Sequence, residues 1–472
     1  KREYMSPGFS NLLGFVRYPK KDSSGVFWQD EYVGADGLEK QYNKDLQGVR
    51  GERVVVVSAS GGVVNDNVIN KPSDGESLIT NIDSRVQKAF YNRLKSVVDA
   101  QGFKGGSAVM MEVNTGNVIA LVSYPEYDNN LFTNATSTED KKKKEVYLED
   151  KRNPMLNRPV SGLFTPGSTV KPYIAYAALV EGVIDEYKNI YSSGQLVIKN
   201  VYGGPDTIFK DWKAHGYTDM REAIAVSSDV YFYTIGGGYA DQKGLGITKI
   251  DEYLKLFGFA EKTGVDLLGE SKGVIPTPEW KLETFDEEWR LGNTYHTSIG
   301  QYGSQVTPIQ LARSVASVAN GGRLVVPYLV QTISPRVEKT ETRYSVSKED
   351  LTVIREGMRQ TVVSGSSPVL QQAGFPVAAK SGTAEIGVRK GRVNSWMTGF
   401  FPYKEPKYAF VVVLENGPVD TTYGAGKTTR DILKWIAENR PQYAGIPKKE
   451  IVPEEATSTE GEVGIEEGVT PL

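Results

Sequence analysis

The sequence predicts an α+β layer fold, with strand patterns at both ends of the main domain and helical periodicity between them. Three observations carry this: an apolar hairpin signal near residue 110, helical spacing through the middle, and two apolar runs past residue 396. The 472 residues exceed what one compact core serves, so more than one domain is expected. With 55 basic and 58 acidic side chains the formal net charge is −3, which argues against a nucleic-acid partner. Cysteine is absent, so disulfides, cysteine nucleophiles and thiolate metal sites are excluded; two histidines, His215 and His296, cannot build a multi-histidine cage.

Residues 1–100 read as an auxiliary region of glycine-punctuated loops, with a short helix at 37–44 and a β-branched run at 53–57. A helix follows from Ser84, with Ser84 and Gln87 as a capping box and Val86, Phe90, Leu94 and Val97 on one side. Residues 108–113 and 118–123 form a hairpin across 114–117. The charge-dense stretch 136–152 is a solvated face. An Ala/Tyr-rich helix runs from residue 168 to Gly182. Residues 375–379 are strand-like, and 396–401 and 408–414 are strands around a turn at 404–406. A last amphipathic helix spans about 430–438, presenting Ile432, Leu433 and Ile436. Residues 448–472 form an acidic tail, with no basic residue after Pro453, and are expected to be disordered. The longest apolar run, 408–414, is far short of the roughly 20 residues a membrane helix needs. The chain begins at Lys1 without a methionine, and an anchor or targeting segment is expected to precede it in a longer protein.

Three motifs carry chemistry. In Ser168-Thr-Val-Lys171 a serine opens a helix and a lysine sits one turn on, on the same face. A serine hydroxyl needs a nearby base, and a lysine serves when burial or a neighbouring cation depresses its pKa. Ser227-Ser-Asp229 places a hydroxyl and a carboxylate two residues apart on a short loop. Lys380-Ser-Gly-Thr383 sets a cation beside two hydroxyls, with Gly382 allowing close approach to a substrate carboxylate. Each has a bland alternative, and the first and third have decoys. Ser345-Val-Ser-Lys348 repeats the first motif, but Ser347 there reads as a helix cap. Lys262-Thr-Gly264 imitates the third and reads as a loop entry. Gly269-Glu-Ser-Lys-Gly273 has the letters of a nucleophile elbow without the helix that should follow. Gly424-Ala-Gly-Lys-Thr-Thr429 lacks the leading glycine of a phosphate loop, since position 421 is threonine.

The three motifs in this order form a set known for β-lactamases and penicillin-binding proteins. With Asn157-Arg158, Tyr295-His-Thr-Ser-Ile-Gly-Gln301, Val306-Thr-Pro-Ile-Gln310 and Trp396-Met-Thr-Gly-Phe-Phe-Pro402, the chain resembles a class B penicillin-binding protein. It is most similar to the elongation-type penicillin-binding protein 2, through Trp289-Arg-Leu-Gly-Asn-Thr294, residues 38–48 and Asp229. The resemblance implies a transpeptidase domain at 101–447, an antiparallel sheet flanked by helices plus an all-helical part, on an N-terminal pedestal at 1–100. It implies a D,D-transpeptidase that crosslinks peptidoglycan stem peptides and is acylated by β-lactams, at the extracytoplasmic face of the bacterial membrane. Ser168 is then the nucleophile, Lys171 its proton acceptor, Ser227 a relay and Asp229 the residue that positions Lys171. Lys380, Ser381, Gly382 and Thr383 hold the substrate carboxylate and oxyanion. The implied partner of the pedestal is a membrane glycan polymerase of the shape, elongation, division and sporulation (SEDS) class. No cofactor is expected. Some elongation-type relatives carry zinc between the first two motifs; Asp211 and His215 lie there, but without cysteine or matching spacing no metal is expected. His215 is expected in a surface or capping role and His296 in a structural one. The competing readings are a D,D-carboxypeptidase or β-lactamase-like hydrolase, with water as acceptor, and a non-catalytic partner-binding relative.

Overall fold

A computed structural model describes residues 2–447 apart from 6, 25–26, 30, 332–339, 342–346 and 388–390. The acidic tail expected at 448–472 lies outside the described residues.

Helix α1 (Ser84–Gln101) is capped by Asp83, whose side chain accepts from the amides of Arg85 and Val86, and it stops at Gly102 in the left-handed region (φ 71°). The capping box expected from Ser84 and Gln87 does not form. Gln87 is fully buried, and its amide is taken elsewhere: it donates to Gly8 O and Leu121 O and accepts from Leu121 N. A hairpin follows, β1 (Gly105–Glu112) and β2 (Val118–Tyr124). The charge-dense helix Thr138–Glu149 buries no residue, as a solvated face should.

The helical part then runs through α2 (Lys171–Val180), α3 (Met220–Val226), α4 (Asp229–Gly237), α5 (Leu291–Ser298), α6 (Pro308–Ala319) and α7 (Lys348–Val363). The chain returns to the sheet as β3 (Ala378–Ile386), β4 (Arg392–Phe401) and β5 (Tyr408–Pro418), and α8 (Ala425–Asn439) closes the domain. Strand order is β3-β4-β5-β1-β2, antiparallel throughout, with β3 at one edge.

Both faces of this sheet are covered, which is why its central strands read as continuous apolar runs. Val109, Met111, Val411 and Val413 face the helical part, in one core with Tyr173, Ile174, Phe232 and Leu311. Ala108, Met110, Phe410 and Val412 face the other way, against Phe90 and Leu94 of α1 and Ile432 and Ile436 of α8. Thus α1, grouped with the N-terminal region in the sequence, packs its predicted apolar face on the sheet. Leu12 and Leu38 of the N-terminal region join the first core, and Tyr42 Oη donates to Asp266 at 2.8 Å. The ribbon of Glu52–Val57 and Val63–Asn70 differs: every residue in both strands is exposed.

Candidate active site

Ser168 lies in a single 3-10 turn, Gly167–Val170, that leads into α2, so the helix proper begins three residues later than the sequence suggests. Gly167 has φ 54°, and a side chain there would meet the carbonyl oxygen of Thr383 at 2.9 Å. Trp396 of β4 fastens the same turn, donating Nε1–H to Thr165 O at 2.9 Å. The nucleophile candidate is thereby pressed against the edge strand.

Behind it sits a buried cluster made from all three motifs. Lys171 Nζ donates to Asp229 Oδ1 (2.6 Å), Ser227 O (2.8 Å) and Ser227 Oγ (3.3 Å). Lys380 Nζ donates to the same Ser227 Oγ (2.8 Å) and to Ser381 O (3.0 Å). Ser227 can offer both oxygens because it ends α3 in the left-handed region (φ 60°). Both lysines have no exposed surface. Burial pushes the Lys380 amine well below its ordinary pKa and the neighbouring Lys171 charge adds to this, with Asp229 opposing.

Among the described residues no hydrogen bond joins Ser168 Oγ to Lys171 Nζ; the amine is bonded to Ser227 and Asp229.

Lys380, Ser381, Gly382 and Thr383 are part of β3, which begins at Ala378 inside the stretch expected to be strand-like. Alternation along β3 buries Lys380, Gly382 and Ala384 and turns Ser381, Thr383 and Glu385 outward. A side chain at Gly382 would come within 2.7 Å of Thr169 Cγ2 and 2.8 Å of Pro166 O, so only glycine lets the strand lie this close to the Ser168 turn. Ser381 Oγ pairs with Ser366 Oγ at 3.0 Å, a hydroxyl no motif announced. A cleft of ≈ 830 Å³ opens over these groups, lined among others by Ser168, Asp229, Thr383, Glu385, Tyr233 and Trp212. That lies in the upper part of the roughly 300–1,000 Å³ typical of ligand clefts.

The decoys stand apart. Ser347 caps α7 by accepting from Asp350 N at 3.2 Å; Lys262-Thr-Gly264 is loop, Ser271 hydrogen-bonds Ser161 O, and Ala425–Asn439 is plain helix. His215 is not on the surface as expected. Its side chain is 1% exposed and its Nε2 lies 3.3 Å from Asp211 Oδ1. Burial pushes its pKa down, against the pull of Asp211. His296 lines the cleft against Phe209 and Tyr233. The zinc carried by some relatives does not fit here. The groups around Asp211 and His215 are hydroxyls and amides already bonded to Asp211, and among the described residues no three His, Cys, Asp or Glu side chains gather as metal ligands.

Residues 106–438 match the family described as the penicillin binding protein transpeptidase domain, and residues 1–80 match the penicillin-binding protein dimerisation domain. The chain belongs to the penicillin-binding protein transpeptidases. Within this family it is similar to the peptidoglycan D,D-transpeptidase MrdA of Haemophilus influenzae, 30% identical over 94% of this chain and 70% of that protein. The MrdA protein of Acinetobacter baumannii is 31% identical over 87% of this chain and 62% of its own length. Among solved structures, Pseudomonas aeruginosa PBP2 in complex with WCK 5153 aligns with a TM-score of 0.74 and 29% identity, covering 91% of this chain and 88% of that one. The PBP2–MreC complex of Helicobacter pylori aligns with a TM-score of 0.75 and 29% identity, covering 91% and 77%. The penicillin-binding transpeptidase fold and the penicillin-binding protein 2 branch expected from the sequence both stand.

Proposed function

We propose that this chain, a peptidoglycan D,D-transpeptidase of the elongation type, crosslinks stem peptides through an acyl-enzyme on Ser168. The observation that carries the reading is the buried Lys171–Ser227–Asp229–Lys380 cluster directly behind the Ser168 turn. Ser168 Oγ attacks the carbonyl of the penultimate D-alanine, and its proton passes to Lys171. Ser227, bonded to both lysines, relays a proton to the nitrogen of the leaving D-alanine. Asp229 holds Lys171 in place at 2.6 Å. The amides of Ser168 and Thr383 receive the developing oxyanion, worth about 3–4 kcal/mol per donor in comparable acyl-transfer sites. Lys380, Ser381 and Thr383 hold the terminal carboxylate, whose charge draws the proton back onto Lys380 against the cost of burial. An amine of a second stem then attacks the acyl carbonyl, forms the crosslink and expels Ser168 Oγ. β-Lactams acylate the same oxygen as they open their ring.

The domain reading follows the sequence: residues 101–447 do the chemistry and residues 1–100 form a pedestal on the extracytoplasmic face of the membrane. Solved relatives include a PBP2–MreC complex and a peptidoglycan synthase complex. The pedestal of this chain docks on a membrane glycan polymerase of the SEDS class; its exposed ribbon, with Val54, Val55, Val63 and Val64 in solvent, supports a partner surface there.

Intact-mass spectrometry after incubation with benzylpenicillin tests the reading. The expected result is one stable adduct mapping to Ser168. Rapid loss of the adduct to water favours the carboxypeptidase or β-lactamase-like alternative, and no adduct favours the non-catalytic one.

A further inference from the structure

The loop Ser227-Ser-Asp229 has two sides. Ser227 and Asp229 face the lysines, while Ser228 between them, in extended backbone (φ −64°, ψ 118°), turns away. What meets Ser228 is Asp211, a carboxylate with no exposed side-chain surface, just past the strand Thr207–Lys210. Its Oδ2 accepts from Ser228 Oγ (3.0 Å), Val230 N (3.0 Å) and Ser192 Oγ (3.3 Å). Its Oδ1 accepts from Trp212 N (2.8 Å) and faces His215 Nε2 (3.3 Å). Ser228 Oγ in turn accepts from Tyr231 N (3.3 Å), so one hydroxyl ties Asp211 to the first turn of α4. A buried anion at a helix N-terminus is favourably placed, and here that helix opens with Asp229.

We infer that Asp211 is a positioning residue of the active site: from behind, it fixes the loop so that Ser227 and Asp229 stay within reach of Lys171 and Lys380. Hydrogen bonds, not a metal ion, organise this part of the cleft. The inference rests on the transpeptidase reading and adds a residue that none of the three motifs contains.

The test is the kinetics of acylation by a fluorescent penicillin, resolved into the affinity before reaction and the acylation rate constant. Asp211→Asn removes the charge and one acceptor oxygen; its rate constant falls roughly tenfold to hundredfold, the size of a lost charge-assisted hydrogen bond, at unchanged affinity. Ser228→Ala removes one contact only and costs about three- to tenfold in the same constant. Asp206→Asn, an exposed acid on the same hairpin paired with Lys199, changes neither parameter. EDTA and zinc chloride leave the native rate unchanged. If Asp211→Asn does not fold, the Ser228→Ala result decides. The inference is overturned if the variants react at the native rate, if they lose affinity and keep the rate constant, or if EDTA slows the native protein and zinc restores it. A native protein that is not acylated at all sinks the transpeptidase reading instead.

Discussion

The two walls of the cleft each bury one lysine, and they treat its charge differently. On the helical wall Lys171 has Asp229 at 2.6 Å, with Asp211 behind the loop that carries it. On the strand wall Lys380 is hydrogen-bonded, among the described residues, to a hydroxyl and a carbonyl, and burial pushes its amine well below its ordinary pKa. The helical wall gives its cation a directly bonded carboxylate, whereas on the strand wall the same Asp229 acts on Lys380 only through its charge. The difference teaches that the two lysines are not interchangeable: one amine is bonded directly to a carboxylate, the other to a hydroxyl and a carbonyl.

Breaking the helical wall has the largest expected effect on stability. Asp229→Ala strands a buried ammonium and costs about 3–5 kcal/mol, the range for losing one partner of a buried pair, read by denaturant unfolding. The strand wall responds with the opposite sign. The unfolded chain holds a proton on residue 380 up to about pH 10.4, while the fold releases it at lower pH, so this lysine costs stability below that value. Lys380→Met therefore raises the melting temperature most at acid pH, and the gain shrinks as pH rises toward 10.4. A pH-independent difference would contradict the contrast between the walls.

Smaller changes sharpen it. Trp396→Phe deletes the bond to Thr165 O that presses the Ser168 turn on the sheet and costs about 1 kcal/mol, with slower acylation. In the exposed ribbon, Val55→Thr with Val64→Thr shifts stability by no more than about 0.5 kcal/mol and leaves acylation unchanged, as differential scanning calorimetry and penicillin labelling will show.

Much of this was legible in the sequence. The strands at β1, β2, β4 and β5 follow from apolar runs buried on both faces, and the face of α1 follows from its periodicity. The candidate residues were legible as text, and the structure gathers Lys171, Ser227, Asp229 and Lys380 into one hydrogen-bonded cluster. What the text could not give is competition between distant partners. Lys380-Ser-Gly-Thr-Ala-Glu385 has no β-branched run to announce a strand, and pairing with β4 makes it one. Gln87 left its cap for a buried bridge. Asp211 stands 18 residues before Asp229 and gains meaning only from the four donors the fold brings to it.

The most direct measurement is covalent labelling by a fluorescent penicillin, comparing the native chain with Ser168→Ala at matched stability. The account predicts a labelled band for the native chain and none for the variant. Equal labelling of both would show that the nucleophile lies elsewhere.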